Sequence, residues 1–156
     1  MGETIAPVAK SLVEGFLGPM NGTLPAWATV SRGNTSIWGD DRPFSHDFFF
    51  NPYGTGLCVN RDGFDDALRD VAQGLGVTLW RGASVAAAAR DGTAGGWDIA
   101  VKGMDGGLYS IKSSYLVDAT GRGRVIQKML GETDDTNDPL MAIAQHFVTD
   151  SREDRD

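Results

Sequence analysis

The sequence predicts an α+β fold, and three observations support this prediction. Two stretches, 7–17 and 62–75, carry apolar residues at helical spacing. Residues 84–112 have the pattern of three short strands separated by glycine-rich turns. Residues 114–130 then join a short apolar run to a glycine-containing turn and a third helical pattern. The expected architecture is therefore a set of helices plus a β-meander that leads into a strand–turn–helix unit.

The strand–turn–helix unit is the sequence SYLVDATGRGRVIQKML at 114–130. Residues 115–117 are apolar and end at a turn signal, which is typical of a buried strand. Gly121 and Gly123 allow a tight turn, and Gly131 is a suitable stop for the helix that follows. That helix repeats apolar residues at helical spacing: Val125, Ile126, Met129 and Leu130. Taken alone, these residues fit an ordinary strand–helix corner as well as a turn that contacts an anion or a nucleotide.

Each of the two longer helical patterns has recognisable ends. Pro7 suits the first position of a helix, and Gly18-Pro19 ends that pattern. Asp62 is the predicted N-cap of the second helix, which Gly76 stops. The expected apolar faces comprise Val8, Leu12, Val13, Phe16 and Leu17 in the first helix, and Phe64, Ala67, Leu68, Val71 and Leu75 in the second.

The remaining stretches have the composition of short strands and turns. A loop is predicted at 40–43, a turn at 51–54, and strands at 28–32, 34–38, 47–50, 57–60, 77–80, 84–89, 97–101, 108–112 and 140–148. An aromatic-rich middle contains Trp27, Trp38, Phe44, Phe48, Phe49, Phe50 and Tyr53. We expect these rings to form core, with the wall of a ligand pocket as the alternative. His146 on the last strand is expected to be structural, because no Ser, Cys or acid is placed to work with it.

Composition narrows the class of protein. With 156 residues the chain has the length of one domain. No run of 18 apolar residues occurs and the N-terminus lacks the layout of a signal peptide, which favours a cytoplasmic protein without a membrane span. The single Cys58 matches no metal spacing. The net charge is −7, and residues 132–156 supply −6 of it, so this acidic end is expected to be solvated. The sequence has no basic patch that would indicate nucleic-acid binding.

Three stretches resemble motifs of the FAD-dependent oxidoreductase superfamily of flavoprotein monooxygenases, flavin-dependent halogenases and geranylgeranyl-reductase-like enzymes. Residues 117–122, VDATGR, followed by a helix and by LGE, resemble the second FAD-contacting motif. Residues 2–7, GETIAP, resemble the GE-x-x-x-P loop that follows the first Rossmann unit. Residues 61–68 resemble the family segment R-x-x-F-D-x-x-L after a strand. LCVN at 57–60 stands where related enzymes often have Trp-His-Leu-Asp.

The resemblance implies FAD as cofactor and six contact residues: Gly2, Glu3, Arg61, Asp118, Gly121 and Arg122. Glu3 would lie near the flavin, and its alternative is an ordinary surface carboxylate. Arg61 would reach the pyrophosphate or adenosine side, or else would form a surface salt bridge. Asp118 would be the acid at the end of the motif strand, or else would stabilise the turn. Arg122 would bind a phosphate or pair locally.

The resemblance also implies two regions: a partial FAD-binding domain at 1–131 with inserted substrate-side strands, and an acidic linker at 132–156 that begins a substrate-domain strand. The motif G-x-G-x-x-G is absent from the sequence, as is the halogenase segment W-x-W-x-I-P. We therefore expect an internal portion of a FAD-dependent oxidoreductase that acts on a small molecule and is inactive alone.

Two alternatives remain open at this stage. One is a non-catalytic remnant or interaction module that needs a partner to supply the missing Rossmann unit, and that self-associates through the surface left exposed. The other is an independent small β-rich binding domain.

Overall fold

The computed structural model describes residues 2–20, 23–39, 41–92 and 95–132, and it confirms the α+β class. The predicted strand at 140–148, His146 and residues 133–156 of the acidic end lie outside the described residues. The chain divides into two compact units, Met1–Trp80 and Arg81–Asp156.

The first unit contains five strands and two helices among its described residues. In chain order they are β1 (Gly2–Ile5), α1 (Pro7–Leu17), β2 (Ala28–Ser31), β3 (Gly33–Ile37), β4 (Pro43–Asp47), β5 (Gly56–Asn60) and α2 (Arg61–Gly74). β5 is the middle strand of an antiparallel sheet with the order β1-β5-β2. β3 and β4 form a separate antiparallel pair.

The core of the first unit lies on one face of β5. Leu57 and Val59 alternate with Cys58, so both apolar side chains are buried while Cys58 is exposed. Met20 and Ala28 complete the buried cluster, and residues from both helices pack against it. The ring of Phe64 on α2 lies 5.3 Å from that of Trp27, centroid to centroid.

The two helices begin and end close to their predicted positions, but their details differ. Pro7 opens α1 as expected, yet Val8, Leu12 and Phe16 of the predicted apolar face are exposed, and only Val13 and Leu17 are half-buried. The N-cap of α2 is Asn60 rather than Asp62, because the Asn60 side chain accepts the Asp62 amide at 3.0 Å.

The predicted strands at 47–50 and 77–80 are wrong. Near the first of these, the observed strand is Pro43–Asp47, whose first residue falls in the loop predicted at 40–43. The chain turns after Asp47, because the Asp47 carboxylate accepts the Phe49 amide at 2.6 Å. At the second, the Val77 amide donates to the Ala72 carbonyl of the preceding helix at 3.0 Å, so it is not free to start a strand. The turn at 51–54 is confirmed, with Gly54 donating to the Asn51 carbonyl at 2.9 Å.

Most of the aromatic-rich middle lies outside the core, so the core prediction is wrong for most of its members. Phe48 is buried and Trp27 is half-buried. The exposed rings are Trp38, Phe44, Phe49, Phe50 and Tyr53. Phe49 and Phe50 lie in the turn after β4, and they are 81% and 93% exposed.

The second unit confirms the predicted meander. Strands β6 (Ser84–Arg90), β7 (Trp97–Lys102) and β8 (Leu108–Ser113) pair antiparallel in that order. Ile99 and Val101 on β7 are buried, and so is Ile126 of α3 (Val125–Met129). α3 ends at Met129, and the predicted stop, Gly131, follows its C-cap with φ at +72° while the Glu132 amide donates to the Gln127 carbonyl at 3.1 Å.

The strand predicted at 115–117, which opens the strand–DATGR–helix unit, is absent. The Ser113 hydroxyl hydrogen-bonds the Tyr115 carbonyl and also accepts the Tyr115 amide at 3.2 Å. These local bonds occupy the backbone groups that a strand would use for pairing. Tyr115 and Val117 are consequently exposed, at 86% and 82%.

Candidate functional site

Glu3 and Arg61 meet in the first unit, although 58 residues separate them. β1 and β5 pair antiparallel with Gly2 opposite Asn60 and Glu3 opposite Val59. Arg61 follows Asn60 as the first residue of α2. The strand pairing therefore brings the predicted residues Gly2, Glu3 and Arg61 to one end of the β1–β5 pair.

The Arg61 guanidinium is held by two carboxylates. Its Nη1 donates to Oε2 of Glu3, and its Nη2 lies 3.2 Å from Oδ1 and 3.3 Å from Oδ2 of Asp65, one turn along α2. The bond to Glu3, followed by the bond to Asp65, raises the pKa of Arg61 above its ordinary value. We name these three residues the Arg61 cluster. Its formal charge is −1, and its side chains are partly exposed.

Asp118, in the second unit, holds a turn together. Its Oδ1 accepts the Thr120 amide at 3.0 Å and the Thr120 hydroxyl at 2.5 Å, while its Oδ2 accepts the Gln127 amide at 3.1 Å. The Thr120 hydroxyl oxygen in turn accepts the Val125 amide at 2.8 Å. Asp118 and Thr120 thus satisfy two free amides in the first turn of α3.

The hydrogen bonds that Asp118 accepts also favour its ionised form. Those from the Thr120 hydroxyl and amide are the main reason that the pKa of Asp118 lies below its ordinary value. Each bond is stronger to the ionised carboxylate than to the protonated acid. Asp118 is therefore ionised near neutral pH, and it acts as the turn-stabilising residue that we considered beside its cofactor role.

Gly121 and Arg122 lie on the short 3₁₀ turn Gly121–Gly123. Gly121 has φ at +59°, in the region that only glycine adopts without strain. Arg124, which follows, also has a positive φ of 45° and donates its amide to the Gly121 carbonyl at 3.1 Å. Arg122 is exposed at this turn. The predicted residues Asp118, Gly121 and Arg122 thus belong to one compact turn.

A cavity of about 600 Å³ opens beside this turn within the second unit. Asp118 and Gly121 line it together with Arg90 and Trp97, which sequence reasoning did not select. The Arg90 guanidinium lies 4.3 Å from the centroid of the Trp97 ring. A sequence signal existed, because the glycine-rich hairpin between β6 and β7 places these two residues opposite each other, as their register shows.

Other kinds of site are less well supported. Among the described residues no group of three or more His, Cys, Asp or Glu side chains is arranged to hold a metal ion. Cys58 is free and exposed. None of the helices in the described ranges is long and apolar enough to cross a membrane.

Comparison with family models, with curated proteins and with solved structures finds no match to this chain. The proposed function is therefore supported by the motifs, by the Arg61 cluster of the first unit, and by the turn at Asp118 with the cavity beside it in the second unit.

Proposed function

We propose that this chain is part of a FAD-dependent oxidoreductase of the monooxygenase and halogenase-like kind, and that it needs a G-x-G-x-x-G unit to act on its small-molecule substrate. The Arg61 cluster carries the proposal. Its members are the acid of the GE loop and the Arg and Asp of the segment R-x-x-F-D, so the charged residues of two separate motifs join in one contact.

The chemistry of the Arg61 cluster suits a neutral part of the cofactor. A flavin, when bound, would supply either oxygen activation or hydride transfer. The cluster has a formal charge of −1, which disfavours a phosphate beside it and favours a hydroxyl or N–H donor to the Glu3 carboxylate. Arg61 then keeps that carboxylate oriented through its hydrogen bond. The guanidinium has five N–H donors, so it retains capacity for a further acceptor.

The turn at Asp118, within the second unit, is a separate proposed cofactor contact. Asp118 fixes the turn through its bonds to Thr120 and Gln127. Gly121 has no side chain, so a ligand can approach its backbone closely. Arg122, exposed on the same turn, has the donor geometry that phosphate prefers. Phosphate contact is thus assigned to this turn rather than to the Arg61 cluster.

A titration with FAD tests the proposal, with flavin fluorescence and melting temperature followed together. A ligand that binds only the folded state raises the melting temperature. We expect FAD to quench and to stabilise the wild-type chain, and Arg61→Ala and Asp118→Ala to weaken both effects.

Arg69→Ala is the matched control for the FAD titration. It removes an arginine of the same helix that pairs locally with Asp66, with the contacting atoms 2.8 Å apart. No response of the wild-type chain at high micromolar FAD, or equal loss in Arg69→Ala, would contradict cofactor binding by these residues.

A second candidate function is an interaction module that pairs with a partner supplying the Rossmann unit. The observation that favours it is the exposed stripe of Val8, Leu12 and Phe16, three side chains spaced four residues apart along α1. Exposed apolar surface of this kind commonly marks an interaction site. Light scattering tests this candidate: self-association that Leu12→Lys and Phe16→Glu abolish would support it, and an unchanged monomer would contradict it.

A further inference from the structure

The Arg90 guanidinium lies over the Trp97 ring at one end of the meander, and we name this pair the Arg90–Trp97 platform. The two residues are opposite each other at the hairpin end of β6 and β7, and the guanidinium lies 4.3 Å from the ring centroid. An arginine over an indole ring is a favourable cation–π contact, and both groups present planar surfaces on which a ring can stack. Two cavities, of about 790 and 600 Å³, share Arg90, Trp97 and Leu116, so open space lies against the platform.

The smaller cavity has the composition of a site for an uncharged ring. Apolar side chains from three places in the second unit line it: Trp97, Leu116, Ile126 and Leu130. Its charged residues are Arg90 and Arg124 against Asp118 and Glu132, so their formal charges cancel. A phosphate gains little in such a cavity, because each guanidinium has a carboxylate in the same lining. Its volume lies within the range typical of small-molecule sites.

We propose that this cavity is a stacking site for an uncharged, planar heteroaromatic ring, which packs on the Arg90–Trp97 platform. The choice of a ring that belongs to a nucleotide rests on the proposed function. That ring is either adenine or the isoalloxazine of a flavin, since both are flat, apolar on their faces and able to hydrogen-bond at their edges. The phosphates stay outside the cavity.

Calorimetric titration of the intact chain with adenosine and with riboflavin tests the site and distinguishes the two sources of the ring. We expect one of the two compounds to bind, with an affinity that high salt leaves unchanged because no phosphate is involved. Trp97→Ala is expected to weaken that binding at least about fivefold, as the loss of one stacking contact does. Trp97→Phe, which keeps a ring, is expected to restore most of it.

Two further variants make the test decisive. Leu116→Trp fills the cavity from an irregular segment and is expected to block binding without removing a strand residue. Trp38→Ala removes an exposed tryptophan of the first unit and is expected to bind as the wild type does. If Trp97→Ala does not fold, Leu116→Trp decides the question.

The outcomes separate this inference from the proposed function. Binding of neither compound, or equal binding by wild type, Trp97→Ala and Leu116→Trp, overturns the stacking site. FAD binding that Arg61→Ala loses and Trp97→Ala retains overturns the stacking site and leaves the proposed function intact. Ring binding that depends on Trp97, without any stabilisation by FAD, supports the stacking site and contradicts the proposed function.

Discussion

The Arg61 guanidinium donates through Nη1 to Oε2 of Glu3, a carboxylate 58 residues earlier in the chain. This ion pair joins the N-terminal strand to the start of α2 in the first unit. Asp65 shares the same guanidinium, so the three charges form a small network rather than an isolated surface pair. Networks of this kind contribute more to stability than single exposed pairs.

The Arg61 cluster predicts measurable coupling between its two ends. Glu3→Gln and Arg61→Gln are each expected to lower the melting temperature at low salt, and the double variant is expected to lower it by less than the sum. High salt is expected to remove the coupling because the side chains are partly exposed. The Arg69–Asp66 pair is the control, because it is an ion pair within α2 that does not join this helix to β1. Strict additivity for Glu3 and Arg61 would show that the contact does not stabilise the fold.

Among the described residues of the first unit, truncation of Leu57 is expected to cause the largest loss of stability. Its side chain is 0% exposed, and it lies at the centre of the buried cluster with Val59, Ala28 and Met20. Leu57→Ala is expected to lower the free energy of unfolding by about 2–5 kcal/mol, measured by urea denaturation. Leu75→Ala is the matched control, since Leu75 is 79% exposed, and it is expected to change stability by less than about 0.5 kcal/mol. Equal effects at both positions would contradict this placement of the core.

The substitution of glycine by alanine is expected to have opposite effects at Gly63 and at Gly74, which both lie in α2. An alanine Cβ at Gly63 would lie 2.7 Å from the Cβ of Trp27, whereas at Gly74 it would meet nothing within 4 Å. Gly63→Ala is therefore expected to destabilise the chain, although alanine is the better helix former. Gly74→Ala is expected to stabilise it by up to ~1 kcal/mol, because the substitution restricts the unfolded chain. Stabilisation by both, measured by thermal unfolding, would mean that α2 does not contact Trp27 so closely.

The hydrogen bonds of Asp118 are expected to make the folded chain less stable in acid. Its pKa is lowered in the folded chain, so its bonds stabilise the turn fully above its ordinary pKa of 3.8 and are lost as the pH falls through the lower, folded value. NMR titration of the Asp118 carboxyl is expected to give a midpoint below 3.8. Thr120→Val removes the strongest of these bonds and is expected to return the midpoint toward 3.8. A wild-type midpoint at or above 3.8 would exclude the bonded turn.

The sequence by itself determined the elements whose signals are local. Pro7 and Gly18 bound α1, Gly76 follows the end of α2, and the glycine-rich turns at 91–96 and 105–107 delimit the meander. Each of these signals acts through the backbone of one residue or through a turn of a few residues. For that reason the α+β class, the three-stranded meander and α3 with its stop at Gly131 were predictable.

Only the tertiary structure decided which side chains meet and which apolar runs find a partner. Residues 115–117 have the composition of a strand, yet in the part of the chain that the structure describes no strand pairs with them, and Ser113 binds the backbone of Tyr115 instead. The contact of Glu3 with Arg61 depends on the pairing of β1 with β5, across more than fifty residues. The facing of Arg90 and Trp97, by contrast, follows from the short hairpin that joins β6 to β7. Pairing and register follow from the burial of whole faces, a property of the assembled sheet that no single stretch of sequence contains.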